Sequence, residues 1–380
     1  MKVGVISPEF PPEIGGVETY AYEFARELAN RGHRVTVFTR PHTEGEASLP
    51  GVRVVPSLKL RRTIDRAILR DASFDVWHVM NAAYAWMALE ASPVVVSVHG
   101  NDFLQPYVLV AQPDLQRLPG LWRLSRWRYA LERALGQWLT RRLVRRALPR
   151  AAHILANSRY TEQVLLRNYP ACRGLTSAAM VGVSSEFLGA NVKRWSDSHS
   201  RLITVCRLTD PRKNVNLVLQ ALARLKEQHH FSFTVVGDGP LRPNLEKLAH
   251  ELGLEGQVRF VGFVDNAELR RLLASSDLFV LTSSVHRGSH EGFGIAYLEA
   301  NACGTPVLAA RLAGAVEAVS EGVSGFFVDT PSAESIAAAL SRFLGQELTF
   351  DPEACRAFAA RFSWQDVVEH ALSYYGAKGE

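Results

Sequence analysis

The chain has 380 residues, 47% of them apolar and 21% charged, an ordinary balance for a soluble globular protein long enough for two or three cores. No stretch approaches the eighteen consecutive apolar residues of a spanning helix, and the apolar run within Met1–Phe10 is too short for a signal peptide, so the expectation is a cytoplasmic protein. The net charge of +5 hides an asymmetry: residues 1–186 hold 24 Lys/Arg against 16 Asp/Glu, and residues 187–380 hold 19 against 22. Cys172, Cys206, Cys303 and Cys355 are scattered without C-x-x-C spacing, which predicts reduced, structural thiols.

Lys2–Ile6 opens the chain as a buried strand, and Pro11-Pro12-Glu13-Ile14-Gly15-Gly16-Val17 follows it. Val17, Ala21, Phe24 and Leu28 then recur at helical spacing, with Gly32 as the C-cap. The paired glycines open that helix and can turn backbone amides toward a phosphate or a sugar; a plain tight loop is the alternative. They do not form G-x-G-x-x-G, which weakens a dinucleotide-dehydrogenase reading. Arg34–Thr39, Val52–Val55, Asp75–Met80 and Val94–His99 read as further buried strands. The last ends in His99-Gly100-Asn101-Asp102, where an imidazole could hydrogen-bond a sugar hydroxyl or meet developing charge. Asn101 and Asp102 beside it are further candidate site residues.

Between Arg117 and Arg150 stand ten arginines and one acid, Glu132, in Leu-rich sequence with Trp122, Trp127 and Trp138. Leu118, Leu121, Trp122, Ser125 and Tyr129 fit one helical stripe, and Leu131, Leu135, Trp138, Leu139 and Leu143 continue it. A basic amphipathic helix with tryptophan suits an anionic membrane surface, placing the protein peripherally on the inner face of the cytoplasmic membrane. Two packed helices with solvated arginines are the alternative; nucleic acid is not expected, for want of a reader fold. His153–Ala156 and Ala179–Val183 close this series of strands, and the polar, aperiodic Gly189–Ser200 reads as a linker.

The second half restarts the same grammar. Leu202–Cys206, Ser232–Val236, Gln257–Phe260, Leu278–Thr282, Pro306–Ala309 and Gly325–Val328 are predicted strands. Val215–Gln228, Leu241–Leu252, Ala267–Ser275 and Ser332–Leu344 are predicted helices. Arg207 follows the first of these strands directly, and Lys213 comes six residues later; two cations on one strand-to-helix loop suit a diphosphate. Arg212 between them reads as solvated surface. In His290-Glu291-Gly292-Phe293-Gly294-Ile295-Ala296-Tyr297-Leu298-Glu299-Ala300 a helix is expected to start near Gly294. Glu291 and Glu299 then stand roughly 12 Å apart along that axis, enough to grip separate parts of one nucleotide-sized ligand. Phe362-Ser363-Trp364 with Val367, Val368, Ala371 and Tyr374 predicts a last helix.

Alternating strands and helices imply α/β architecture with parallel sheets covered on both faces, and two series imply two Rossmann-like domains. The expected division is 1–186, 187–362 and a C-terminal helix in 363–380. Ligands of such sheets bind at the carboxyl ends of the strands. The chain holds no Asp-x-Asp and no metal-ligand cluster, so neither metal nor other cofactor is expected.

The ordered set of Gly15-Gly16, His99-Gly100, Arg207 with Lys213, and Glu291 with Glu299 resembles the retaining glycosyltransferases of family 4, which have the GT-B fold. Val236-Gly237-Asp238-Gly239-Pro240, Val261-Gly262-Phe263-Val264, Ala302-Cys303-Gly304-Thr305-Pro306-Val307 and Glu321-Gly322-Val323-Ser324-Gly325-Phe326 extend the match over nearly the whole chain. The resemblance implies two domains facing a central cleft, with the last helix crossing back to the first. It implies a nucleotide diphosphate sugar as donor and a saccharide or lipid-linked acceptor in cell-envelope, lipopolysaccharide or exopolysaccharide synthesis. By position, Gly16 beside Gly15 would offer its amide to the diphosphate, and Arg207 and Lys213 would neutralise it. Glu299 would bind the ribose, and backbone at Gly262, Phe263 and Val264 the base. Glu291, with Gly292, Phe293, Gly294 and Ile295, would hold the transferred sugar, and His99 would lie over that sugar from the other domain. Two positions depart from the family: Asn214 stands where Gly commonly follows the lysine, and Val181 where an Asn commonly precedes Gly182-Val183. GDP-mannose, UDP-glucose and UDP-N-acetylglucosamine stay open as donors, with the Glu-Gly-Phe-Gly stretch favouring GDP-mannose. A sugar-nucleotide 2-epimerase and a non-catalytic nucleotide-sugar binding protein are the competing readings.

Overall fold

The computed structural model describes residues 1–12, 15–41, 48–107, 122–189, 199–286 and 289–376, the side chains of 122–130, 132 and 133 excepted. The chain divides into two compact units, Met1–Met180 with Trp364–Glu380, and Val181–Ser363.

Among the described residues the first unit holds seven strands: β1 (Lys2–Ile6), β2 (Arg34–Thr39), β3 (Val52–Pro56), β4 (Val76–Val79), β5 (Val94–Val98), β6 (His153–Ala156) and β7 (Thr176–Ala178). They lie in the order β3-β2-β1-β4-β5-β6-β7, every pair parallel. The central strands are near-continuous apolar runs because both faces are buried: Val3, Val5, Val76, Val79, Val95 and Val96 are all fully enclosed. The helices α1 (Gly16–Asn30), α2 (Arg62–Arg70), α3 (Trp122–Ala147) and α4 (Arg159–Asn168) belong to this unit. On α1, Ala21, Phe24 and Leu28 turn inward, and Gly32 follows its C-cap at φ +82°, a left-handed position that glycine takes without strain.

The second unit repeats the plan with β8 (Ser200–Val205), β9 (Phe231–Val236), β10 (Val258–Gly262), β11 (Leu278–Leu281), β12 (Val307–Ala310) and β13 (Gly325–Val328). Their order is β10-β9-β8-β11-β12-β13, again parallel throughout. Its helices are α5 (Ser185–Leu188), α6 (Val215–Leu225), α7 (Arg242–Glu251), α8 (Asn266–Ala274), α9 (Ile295–Ala302), α10 (Ala315–Ala318), α11 (Ala333–Leu344) and α12 (Pro352–Ala359). Leu219 and Leu222 of α6 share one core with Ile336 and Leu340 of α11. The last helix, α13 (Trp364–Leu372), packs on α1 and belongs to the first unit.

Three local expectations change. The strand read at Ala179–Val183 is β7 at Thr176–Ala178 instead; Ala179, Val181 and Val183 are buried, but Val183 N–H donates to Phe362 O rather than to a sheet neighbour. Their apolar character records burial, not pairing. By contacts, residues 181–186 go with the second unit, not the first; most of the expected linker, 190–198, lies outside the described residues. The arginine-rich stretch forms one helix from Trp122, and its apolar stripe is split: Val144 and Ala147 are buried and Leu143 packs on the core, whereas Leu131, Leu135, Trp138 and Leu139 are 70%, 54%, 52% and 51% exposed. Leu118 and Leu121 lie outside the described residues, as do the side chains of Trp122, Ser125 and Tyr129.

The segment from α13 onward is held to the first sheet by buried and part-buried polar contacts. His78 Nδ1 lies 2.7 Å from Tyr375 Oη, and Ser177 Oγ lies between His153 Nε2 (2.8 Å) and His370 Nε2 (2.7 Å). Burial lowers His78 to about 3, His99 to about 4 and His153 to about 4, the last helped by neighbouring His370. Each folded pKa lies below the ordinary 6.5, so the unfolded chain binds more protons between about pH 4 and 6.5, and folded stability rises with pH there. Asp102, raised to about 7 by burial, runs the opposite way, one group against three. The first unit should therefore lose on the order of a few kcal/mol on acidification from pH 6.5 to 4. Thermal melts followed by tryptophan fluorescence should show a lower midpoint at pH 5 than at pH 7, since Trp77, Trp86 and Trp364 are buried in this unit. Equal midpoints would contradict it.

Candidate functional site

In the second sheet β8 lies beside β11 although two strands separate them in the chain. Strand order reverses there, and the loops leaving β8 and β11 diverge from neighbouring carboxyl ends, the place where open α/β sheets bind ligands. The first loop runs Cys206–Asn214 and the second Thr282–Gly294. Together they carry Arg207, Lys213 and Glu291.

Lys213 Nζ donates to Glu291 Oε2 at 2.6 Å, the side chains being 18% and 14% exposed, and Ser283 Oγ donates to the same oxygen at 3.2 Å. Burial pushes the Glu291 carboxyl up, but Lys213, Arg212 and Ser283 outweigh it and hold it below its ordinary range, so it is ionised at neutral pH. Arg207 is exposed on the same loop. Arg212 is not solvated surface as expected: its side chain is 10% exposed and grips Asp210 at 2.9 Å, because its loop folds back to receive the Ser284 N–H on the Arg212 carbonyl.

Asn214, where the family commonly has glycine, is left-handed at φ 57°, ψ 26°. That conformation favours Gly, with Asn among the side chains that tolerate it. Here the amide also works, donating to Thr282 O and Ser284 Oγ at 2.6 Å each. The substitution keeps the turn and ties the Lys213 loop to the Glu291 loop.

Glu291 leads into α9 through Gly292-Phe293-Gly294, with Phe293 buried and Gly294 the left-handed N-cap at φ 95°. A Cβ on Gly294 would meet the Tyr297 ring at 2.4 Å, so turn and ring exclude any side chain there. Ile295 starts α9, and Glu299 lies part-buried one turn further on. The turn rests on Gly314, whose N–H donates to Glu291 O at 3.1 Å and whose missing Cβ would stand 2.0 Å from Gly292 O. Gly314→Ala should push the turn away, at about 1–3 kcal/mol of stability together with activity. A denaturant midpoint matching wild type would show that the turn yields freely.

The loop after β9 closes on the loop after β8: Leu208 N–H donates to Asp238 O, and Gly237 approaches Cys206 O where a Cβ would stand at 2.0 Å. Gly262, at φ +74°, ends β10 and accepts from Gly237 N–H; Phe263 after it is 57% exposed, and Val264 is part-buried. Gly262–Val264 thus stand at the same edge of the sheet as Lys213 and Glu291.

In the first unit Gly15 is the extended N-cap of α1 and Gly16 its exposed first residue; Glu13 and Ile14 lie outside the described residues. His99 is turned inward, its Nε2 buried without a hydrogen bond among the described residues and its ring 4.5 Å from that of Tyr20. Asp102 accepts from the N–H groups of His99 (3.0 Å) and Ala82 (2.8 Å). Its carboxylate therefore fixes the His99 loop, while Asn101 stands part-buried beside it.

The sequence pattern puts Lys213 and Glu291 in separate subsites, takes Arg212 for solvated surface and does not single out Ser283 or Gly314. Polar Thr282-Ser283-Ser284 at a strand's carboxyl end was a usable signal. Gly314, between two alanines, carried none. Among the described residues no group of three or more His, Cys, Asp or Glu is placed to hold a metal, no helix is long and apolar enough to cross a membrane, and the four cysteines are free.

The family model for glycosyl transferases group 1 matches residues 192–361, and that for glycosyltransferase family 4 matches residues 14–175. A GDP-mannose-dependent alpha-(1-6)-phosphatidylinositol monomannoside mannosyltransferase of Mycobacterium tuberculosis is 29% identical over 90% of this chain and 89% of its own. A D-inositol 3-phosphate glycosyltransferase of Mycolicibacterium gilvum is 25% identical over 99% of this chain and 89% of its own. The Anabaena HepE structure in complex with UDP and glucose superposes with a TM-score of 0.73 at 20% identity, covering 100% of both chains. That likeness shows the fold, GT-B.

Proposed function

The chain belongs to the family 4 glycosyltransferases, and on that footing we propose that it moves a hexosyl group, with retention and without a metal ion, from GDP-mannose to a lipid-linked glycan acceptor. The observation that carries the donor side is the Lys213–Glu291 pair at the switch point of the second sheet, with α9 starting four residues beyond Glu291. Arg207 and Lys213 take the diphosphate, Glu291 the sugar and Glu299 the ribose. As the bond to the diphosphate weakens, charge builds on the leaving phosphate. Fixed donors placed on such a developing anion contribute about 2.7–4 kcal/mol each. The acceptor hydroxyl attacks from the face the phosphate leaves, and a leaving phosphate oxygen takes its proton. GDP-mannose is supported by the name of the M. tuberculosis relative, as is a lipid-linked acceptor.

The membrane side rests on α3. Leu131, Leu135, Trp138 and Leu139 share one exposed face, which Arg142, Arg145 and Arg146 continue toward the helix's C-terminus, with Arg142 over the Trp138 ring. An apolar face followed by exposed arginines suits an anionic bilayer, each basic residue adding about 1 kcal/mol. The protein should sediment with phosphatidylglycerol vesicles at low salt, and Leu135→Glu/Trp138→Glu should reduce that at least tenfold, about 1.4 kcal/mol. Indifference to the vesicles would remove the membrane from the proposal.

The reaction is tested by incubating the protein with GDP-mannose and a polyprenyl- or inositol-lipid acceptor in EDTA, with NMR of the product. Released GDP and an α-linked mannoside are expected. An isomerised donor, an inverted anomer or dependence on added metal would each overturn the corresponding part.

A further inference from the structure

His99, which the resemblance to family 4 would place over the transferred sugar, has its ring turned inward. Its backbone is fixed by Asp102, but its ring meets Tyr20 of α1, edge to face at 4.5 Å. Tyr20 is 1% exposed, and its own ring is held by Trp364, the first residue of α13, edge to face at 5.2 Å. The Tyr20 hydroxyl faces Ser97, two residues before His99 on β5. Ser97 Oγ lies 2.8 Å from His78 Nε2, and His78 Nδ1 lies 2.7 Å from the Tyr375 hydroxyl. His78 and Ser97 are buried within the sheet, and Tyr375 is 3% exposed in the segment after α13.

We propose that Tyr20 is the positioning residue for His99, and that the chain's C-terminal segment completes the brace through Trp364 and through Tyr375, His78 and Ser97. Among the described residues the buried Nε2 has no hydrogen bond that would set the ring angle. The flat Tyr20 ring supplies that angle by packing, and the hydroxyl chain stops Tyr20 from turning. Neutral His78 suits the chain, one ring nitrogen donating and the other accepting. Every link lies within the first unit, yet the links come from α1, β4, β5 and the C-terminal segment. The brace is a property of the fold rather than of any motif.

The inference rests on the role given to His99, so the test separates the two. In the full chain, Tyr20→Leu should lower kcat about tenfold or more while KM for GDP-mannose stays within about twofold, a loss of orientation rather than binding. Tyr20→Phe and Tyr375→Phe, which keep both rings, should each lower kcat about threefold, and the double variant should be no worse than either, because they break one chain. The His99 Cε1–H NMR resonance should shift in all of them, and in Tyr20→Leu its titration should move up toward the ordinary histidine range. If Tyr20→Leu keeps wild-type kcat and an unmoved His99 resonance while His99→Ala is impaired, the brace is wrong and the role of His99 stands. If His99→Ala retains full turnover, the role of His99 fails; the brace then stands or falls on the NMR shift alone.

Discussion

Replacing Glu291 by alanine should cut turnover roughly 100-fold while leaving nucleoside diphosphate affinity unchanged or improved. Glu291 is assigned to the transferred sugar, and its carboxylate holds Lys213 at 2.6 Å. Removing the carboxylate releases the ammonium for the diphosphate and takes away the sugar's partner. Glu299→Ala should do the reverse, weakening the nucleoside diphosphate through its ribose and sparing turnover at saturating donor. Calorimetric titration with GDP beside steady-state kinetics reads both variants. Equal losses of GDP affinity in the two would show that the glutamates do not divide the ligand in this way.

Lys213→Met should be the more damaging change, because it strips the diphosphate of a cation and leaves Glu291 ionised in a largely enclosed site. Breaking a buried ion pair from one side costs about 3–5 kcal/mol. With 18% and 14% of the side chains exposed and Arg212 nearby, the lower end is expected, about 3 kcal/mol at pH 7. In the native protein the folded pKa of Glu291 is depressed, so its contribution is present above the unfolded carboxylate range and is lost as pH falls through the folded value. Without Lys213 the depression is relieved, so the deficit should narrow as acid protonates Glu291. Denaturant midpoints at pH 7 and pH 5 check this, and a variant as stable as wild type at pH 7 would mean the pair adds nothing to folding.

Much of the fold was legible for a simple reason. Strands of a parallel sheet are covered on both faces, so β1, β5, β11 and β12 appear as apolar runs that need no partner to be recognised. The same rule misplaced β7, because Ala179–Val183 is buried as a loop. On α3 the leucines and tryptophan fit a helical face, but only the fold shows that its first turns are uncovered and lie on the side away from Val144 and Ala147. Periodicity locates a face; it does not say what covers it.

The sequence by itself determined the chemistry on offer: which cations, carboxylates and glycines stand at strand ends, in an order shared with family 4. Only the tertiary structure decided which of them touch. Lys213 and Glu291 are 78 residues apart, and they meet because β8 is inserted beside β11, a choice of strand order that no local pattern encodes. Gly314 beneath the Glu291 turn, Asn214 clamped across two loops and Tyr20 against His99 follow the same logic. Each is a contact between segments far apart in the chain, set by how layers pack and not by what any one segment prefers.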